Sequence, residues 1–368
     1  MKILIVDSSI AFTGAFKCAL TEAELLSKKH TFIFVMPERS TLRPYLEEKG
    51  FKVYMLPMVE VSKSTLGLLS YFPALLRNAR ALKKILKKEQ IEVLQMNDFY
   101  NMLGVMAKRL GFKGKLITYV RFLPSSRPAM LRNIWTKYAQ KYSDKVITVS
   151  KVAMDQLPAH PKTMFIYDPI NLSEELPAKE YTRHDTVGIL YQGNYIRGKG
   201  QDAGLEAFAI AYKSDPRIRL TFAGGDMGLE KNREFKLQLQ SRAKELGLQD
   251  VVSFTAFAPS VEQAVKEADI VLNFSESESF SMTCLEASFY GTALIATRCG
   301  GPEEIVIDNE TGFLVPLKDH NAMAEAILKL AGDFELRKSF ADAAKKRVMQ
   351  EYPAGKFVDE FEQVLTEL

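Results

Sequence analysis

The segment DIVLNFSESESFSMTCLEASFYGTALIATR (269–298) packs an apolar run, a polar turn, a helical pattern and a second apolar run into a short length of chain. DIVLNFS reads as a strand and SMTCLEASFY as a helix that Gly291 stops at its C′ position. TALIATR is the next strand. Two strands joined through a helix run parallel. Glu278 therefore falls in the strand-to-helix loop at the carboxyl edge of the sheet, and Glu286 on the helix about two turns later. The helix start at Ser281, Met282 and Thr283 offers free backbone N–H groups and the positive end of a dipole, a setting for phosphate. A loop carboxylate and a helix carboxylate beside it are placed to accept hydroxyls of a sugar and of a ribose. On spacing alone a solvated acidic loop is the simpler reading, because Glu276 is acidic as well.

Outward from this segment the same alternation recurs. Strands are predicted at 2–7, 31–36, 52–57, 93–97, 115–120 and 145–150, with helices such as Ala15–Lys28 and Met102–Leu110 between them. After a polar, Pro-containing stretch at 168–185 the pattern restarts, with strands at 186–192, 218–224, 251–257, 269–275 and 292–298. This predicts an α/β chain of two doubly wound, Rossmann-like domains with 168–185 as the linker. The boundaries are set at 1–170, 171–352 and a C-terminal helix, 353–368, returning to the first domain. Ligands of open parallel sheets bind beyond the carboxyl ends of the strands, so the site is expected in a cleft between the domains.

The 368 residues suit two cores better than one. Three widely spaced cysteines, Cys18, Cys284 and Cys299, form no CxxC pair, which argues against a zinc site or a disulfide framework and for a reducing compartment. MKILIVDSS reads as a buried first strand rather than a signal peptide, and no run is long and apolar enough to span a membrane. Net charge hides an asymmetry: residues 1–170 carry 27 Lys and Arg against 13 Asp and Glu, and the remainder 22 against 32. A basic first half facing something anionic is one reading, and two domains that merely differ in isoelectric point is the other.

Three more glycine turns follow strands. YQGNYIRGKGQD (191–202) brings Gly193, Asn194, Arg197 and Lys199; TFAGGD (221–226) brings Gly224; RCGGPEEI (298–305) is the third. None is a Walker A or GxGxxG loop. Several such turns on one sheet edge point to a single large anionic ligand.

These motifs together carry a resemblance. Glu278 and Glu286 in an E-x7-E arrangement, then GTALIATRCGGPEEI and TGFLVPLKD, resemble the retaining glycosyltransferases of family 4, of GT-B fold, the "glycosyl transferases group 1". The resemblance implies transfer of a hexose-type sugar, with retention, from a UDP- or GDP-sugar, with no metal or other cofactor required. It assigns Glu278 to the donor hexose as the catalytic residue, Glu286 to the ribose, and the amides of Ser281, Met282 and Thr283 to phosphate. The pair that holds the diphosphate falls on Asn194 and Lys199. Asn194 departs from the family's Arg, and Arg197 is the candidate to stand in. The loop after the first strand keeps one glycine, Gly14, of the family's pair beside the donor phosphates. The family's His near the transferred sugar is Arg121, which stays protonated and is no base, but could bind an anionic acceptor or the leaving phosphate. Asn97 and Asp98, at the end of a strand, are either acceptor contacts or a helix cap.

Arg77, Arg80, Lys84, Lys87 and Lys88 share one face of a predicted helix, with Leu75, Ala79, Leu82 and Leu86 on another. The apolar Leu66–Leu76 precedes it. Either this is an ordinary surface helix or it meets an anionic membrane surface; nucleic acid fits less well, since no aromatics interleave the charges. The four histidines, His30, His160, His184 and His320, read as surface residues. The expected partners are thus a nucleotide-sugar donor and a glycan or lipid-linked acceptor. The expected setting is surface polysaccharide or glycolipid synthesis in the cytoplasm, peripheral on the inner face of the membrane. The alternatives are a non-catalytic nucleotide-sugar-binding or partner-binding protein, and a sugar-nucleotide epimerase on the same fold.

Overall fold

The computed structural model describes residues 1–58, 65–170, 179–258 and 260–368, with backbone only for 65–70. Its chain forms two compact units, Met1–Asn171 with Ala354–Leu368, and Leu172–Pro353. The first unit holds β1 (Lys2–Val6), β2 (Thr31–Pro37), β3 (Lys52–Leu56), β4 (Val93–Met96), β5 (Lys115–Val120), β6 (Lys145–Thr148) and β7 (Thr163–Phe165). They pair in parallel in the order β3-β2-β1-β4-β5-β6-β7. Its helices are α1 (Gly14–Leu26), α2 (Arg43–Glu48), α3 (Thr65–Glu89), α4 (Leu103–Arg109), α5 (Ala129–Tyr142) and α6 (Lys151–Asp155).

The second unit holds β8 (Val187–Gln192), β9 (Ile218–Ala223), β10 (Val252–Thr255), β11 (Ile270–Asn273), β12 (Ala293–Thr297) and β13 (Phe313–Val315), in the order β10-β9-β8-β11-β12-β13. Around it lie α7 (Gln201–Ser214), α8 (Glu230–Glu245), α9 (Val261–Glu267), α10 (Met282–Phe289), α11 (Pro302–Ile305), α12 (His320–Gly332) and α13 (Phe334–Glu351). The chain then returns to the first unit as α14 (Ala354–Glu367), which packs on α1.

Helices cover both faces of each sheet, so the central strands are apolar without alternation. Every residue of β12, ALIAT, is buried, as are six of seven in β2. Each sheet starts on an inner strand, β1 or β8, and grows first to one side and then to the other. The order therefore reverses between β1 and β4, and between β8 and β11. At such a point the flanking connections diverge and leave the carboxyl edge open to a ligand.

Two expectations need correcting. The strands β7 and β13, three residues each, were not predicted, because so short a run gives no period to read. Several predicted strands also end early. At the end of β6, Ser150 leaves the ladder to cap α6, its Oγ accepting from the Ala153 N–H at 3.1 Å. Part of the expected linker, 171–178, and the side chains of Leu66–Ser70 lie outside the described residues. Within that stretch Asp168 is buried in the first unit, while Lys179 reaches Thr292 Oγ1 at 3.0 Å in the second. Among the described residues no helix is long and apolar enough to cross a membrane.

His30 is not a free surface histidine. Its side chain is 10% exposed, and Nε2 lies 3.1 Å from Glu362 of α14. Lys145 meets Glu367 of the same helix at 2.6 Å, and Phe357 and Phe361 stack with centroids 5.8 Å apart beneath it. Phe361 is fully buried, so Phe361→Ala should destabilise the first unit by about 3–5 kcal/mol. Breaking the half-exposed Lys145–Glu367 pair with Glu367→Ala should cost less than about 1 kcal/mol. Urea unfolding of the two variants reads the difference; equal costs would mean that α14 is not held by its apolar face.

Candidate functional site

The carboxyl edge of the second sheet is built from backbone in close contact. Gly224, which follows β9, lies so near the turn after β8 that a Cβ on it would stand 1.9 Å from the Gly193 carbonyl oxygen. A side chain is excluded there, and the two turns form one shelf, held by Tyr195 N–H donating to Gly225 O at 2.9 Å. Gln201 Nε2 donates to Asn194 O at 2.9 Å. Gly200 enters α7 at φ +77°, with a virtual Cβ 2.0 Å from Phe274 O, so both the left-handed backbone and the contact require glycine.

The reversal between β8 and β11 is bridged by side chains. Tyr191 OH donates to Lys199 O at 2.7 Å and accepts from Phe274 N–H at 2.8 Å. Glu276 N–H donates to Gly198 O at 2.8 Å. Across this seam Lys199 Nζ meets Glu278 Oε1 at 2.7 Å, and Ser275 Oγ donates to the same oxygen at 2.8 Å. Desolvation opposes the charge on Lys199, but the Glu278 carboxylate outweighs it and holds the ammonium above its usual range. The Glu278 backbone is fixed as well: its N–H donates to Cys299 O at 3.2 Å and its carbonyl accepts from Gly301 N–H at 2.8 Å. Gly301 permits this, since a Cβ there would fall 2.3 Å from Phe280 Cα.

Ser281 caps α10 from an unusual backbone position, φ +84°. Its Oγ accepts from Cys284 N–H at 3.3 Å and from Asn273 Nδ2 at 2.8 Å, two bonds that offset the cost of the left-handed conformation. Met282 and Thr283 follow, half-buried, in the turn whose N–H groups have no intrahelical partner. Glu286 is buried on α10 at 4% exposure. Thus Gly193, Asn194, Lys199, Gly224, Glu278, Ser281, Met282 and Thr283 gather around the ends of adjacent strands β9, β8 and β11, and Glu286 lies one turn further along α10. Arg197 does not join them: its guanidinium lies over the Phe235 ring, 4.9 Å from the centroid, and donates to Gln238 Oε1 on α8. The sequence reading missed Asn273, Ser275 and Gly200. Only the Gly-Lys-Gly run at 198–200 carried any signal for the last.

The first unit presents a different chemistry at its reversal. Asn97, fully buried after β4, donates through Nδ2 to Asp7 and to Ala15 O, and accepts from Arg121 Nε. Arg121 also donates to Asp168 and lies 3.5 Å from Glu22, stacked 4.2 Å from the Tyr119 ring centroid. Its side chain is 1% exposed. The expectation that Arg121 meets an anionic acceptor is corrected accordingly: its guanidinium is the counterion of buried carboxylates within the unit. Neither Asn97 nor Asp98 caps α4, whose N-cap residue is Met102 with no side-chain hydrogen bond; ahead of it Asn101 Oδ1 accepts from Leu103 N–H at 3.1 Å. Asp98 accepts from Tyr100 OH at 3.0 Å, and burial together with the nearby Asp7 pushes its carboxyl up to about 7. Gly14 is the first residue of α1, and a Cβ there would meet open space.

Two measurements test these assignments of strain and charge. Ser281→Ala loses both hydrogen bonds and keeps the strained backbone, so it should cost about 1–2 kcal/mol. Ser281→Gly relieves the backbone and should lie close to wild type in thermal unfolding; the reverse ranking would refute the assignment. Burial raises Glu22 to about 7 against the opposing pull of Arg121. The folded unit then keeps a proton that the unfolded chain releases near pH 4.5, so stability falls as pH rises from about 4.5 to 7. Glu22→Gln should flatten that slope, so that its stability relative to wild type rises between about pH 4.5 and 8; parallel pH profiles would sink this account.

Comparison with known proteins covers both units. The family model described as "Glycosyl transferases group 1" matches residues 173–347, and "Glycosyltransferase Family 4" matches residues 13–174. The chain is 24% identical to N-acetyl-alpha-D-glucosaminyl L-malate synthase of Bacillus anthracis over 83% of its own length and 82% of that protein's. It is 32% identical to D-inositol 3-phosphate glycosyltransferase of Corynebacterium aurimucosum, over 45% of this chain and 39% of that one. Among solved structures, Anabaena HepE in complex with UDP and glucose superposes with a TM-score of 0.84 at 18% identity, covering both chains in full.

Proposed function

The chain belongs to the glycosyl transferases group 1 family and is a glycosyltransferase of GT-B fold, and we propose that it moves a hexose-type sugar, with retention, from a nucleotide-diphosphate sugar to a glycan or lipid-linked acceptor. The observation that carries this reading is the Lys199–Glu278 pair, set across the strand reversal of the second sheet beside the start of α10. A lysine and a carboxylate that face each other are matched to a donor that is anionic at its diphosphate and rich in hydroxyls at its sugar. An incoming diphosphate supplies Lys199 with a new counterion and frees Glu278 to accept hydrogen bonds from the hexose. The amides at Ser281, Met282 and Thr283 take phosphate oxygens. Glu286 takes the ribose hydroxyls, and the Gly193–Gly224 shelf with Asn194 lets the donor approach backbone. UDP is the favoured carrier, because HepE was crystallised with UDP and glucose.

The acceptor belongs on the first unit near Asp98, with Asn97 and Arg121 positioning that edge from within, and Gly14 at the start of α1 is left to the donor phosphates. With the leaving diphosphate assisting deprotonation of the acceptor, the main catalytic contribution is electrostatic stabilisation of that diphosphate by Lys199 and α10. No metal is needed for this, and transfer should persist in EDTA. The exposed cations of α3 accord with a role at the inner face of a membrane, in surface polysaccharide or glycolipid synthesis.

A thermal-shift screen with UDP, GDP and their glucose conjugates tests the donor site. One nucleotide series in large excess should stabilise wild type by a few kcal/mol, and Lys199→Ala and Glu286→Ala should lose most of that shift. Glu278→Gln leaves Lys199 free, so it should keep the shift with the bare nucleotide while sugar transfer or donor hydrolysis falls about 10²–10³-fold. A Glu278→Gln protein with wild-type turnover, or one that no longer binds nucleotide, would contradict the assignment.

A further inference from the structure

Large apolar side chains are exposed in the first unit chiefly where the chain leaves the carboxyl ends of strands. Phe72 on α3 is 69% exposed, and Met130 and Ile134, in the first two turns of α5, are 72% and 42% exposed. The helices α3, α4 and α5 pack in series on one face of the sheet. The sequence also directs the charges there. At about 100° per residue, Phe72, Lys83 and Lys87 fall within about 60° on α3, and Arg80, Lys84, Arg77 and Lys88 extend the same arc to about 160°. All of these are exposed, while Leu75, Ala79, Leu82 and Leu86 are buried on the opposite arc. Among the described residues, no carboxylate forms an ion pair with Arg77, Arg80, Lys84 or Lys87. On α5, Lys137 and Lys141 continue the exposed side behind Met130 and Ile134.

Apolar side chains toward the carboxyl edge, with exposed cations behind them on the same helix faces, form the signature of a surface made for a lipid–water interface. We propose that the α3–α5 face docks on an anionic lipid bilayer, with Phe72, Met130 and Ile134 entering the headgroup region and the cations of α3 meeting lipid phosphates. This would bring the carboxyl edge of the first sheet, where Asp98 stands, to the membrane surface, so the acceptor hydroxyl belongs to a molecule anchored in that bilayer. The inference rests on the glycosyltransferase reading only for that last step. Charge complementarity favours an anionic partner, and the apolar residues decide which: a nucleic acid would leave Phe72 and Met130 in water, whereas a bilayer buries them.

Sedimentation with vesicles of phosphatidylcholine, alone or with phosphatidylglycerol, tests the proposal on the full chain. Wild type should bind the anionic vesicles at least tenfold more tightly than the neutral ones. Phe72→Ser/Met130→Ser/Ile134→Ser should weaken binding about tenfold at low and at high salt. Lys84→Glu/Lys87→Glu/Lys88→Glu should remove the preference for anionic lipid. Thermal shifts with UDP, measured without lipid, should be the same in wild type and both variants, which shows that they are folded. The proposal is overturned if wild type leaves anionic vesicles in the supernatant, if the triple-serine variant binds as wild type does, or if poly(U) RNA competes the protein off the vesicles. Vesicle binding without any nucleotide shift would instead fault the donor site and leave the docking surface standing.

Discussion

The reversal of strand order in each sheet is the constraint on which the rest of the structure depends. Because β8 and β1 are laid down first, in the middle, later strands must be added on both sides. The connections that leave β8 and β11, or β1 and β4, then turn away from one another. The strand ladder ends there, and loop backbone bonds such as Glu276 N–H to Gly198 O, with side chains such as Tyr191, hold what remains. Lys199 and Glu278 in the second unit, and Asn97, Asp98 and Arg121 in the first, stand at those two gaps.

The two units close their gaps in opposite ways. In the second, glycine brings turns within contact distance and leaves polar groups turned outward: Gly224 against Gly193, Gly301 against Phe280, and a lysine and a glutamate facing each other at 2.7 Å. In the first, the gap is filled from within by Asp7, Asn97, Arg121, Asp168 and Glu22. Removing one member of such a buried set would leave the others uncompensated, so it specifies a single arrangement of the edge more than it adds stability.

Much of this was legible from residue patterns. The helix after ESESFS ends at Gly291 and begins at Ser281 as its cap, because stop signals and caps act over a turn or two. The two arcs of α3 follow from the 3.6-residue period alone. The turns at 193, 224 and 301 announced themselves as glycines after apolar runs. The short strands β7 and β13 were not legible, since three residues carry no period, and the position of Arg197 on Phe235 depends on α8, nearly forty residues further along the chain.

What the sequence by itself determined is the alternation of strands and helices, the polarity of each helix face and the placing of reactive side chains at strand ends, because these depend on neighbours within a few residues. Only the tertiary structure decided which of those side chains meet. Lys199 finds Glu278, Asn97 finds Asp7, and Arg121 finds Asp168 rather than solvent. Those partners are separated by 79, 90 and 47 residues. Strand order and the depth of burial bring them together, and neither is written in any local stretch of the chain.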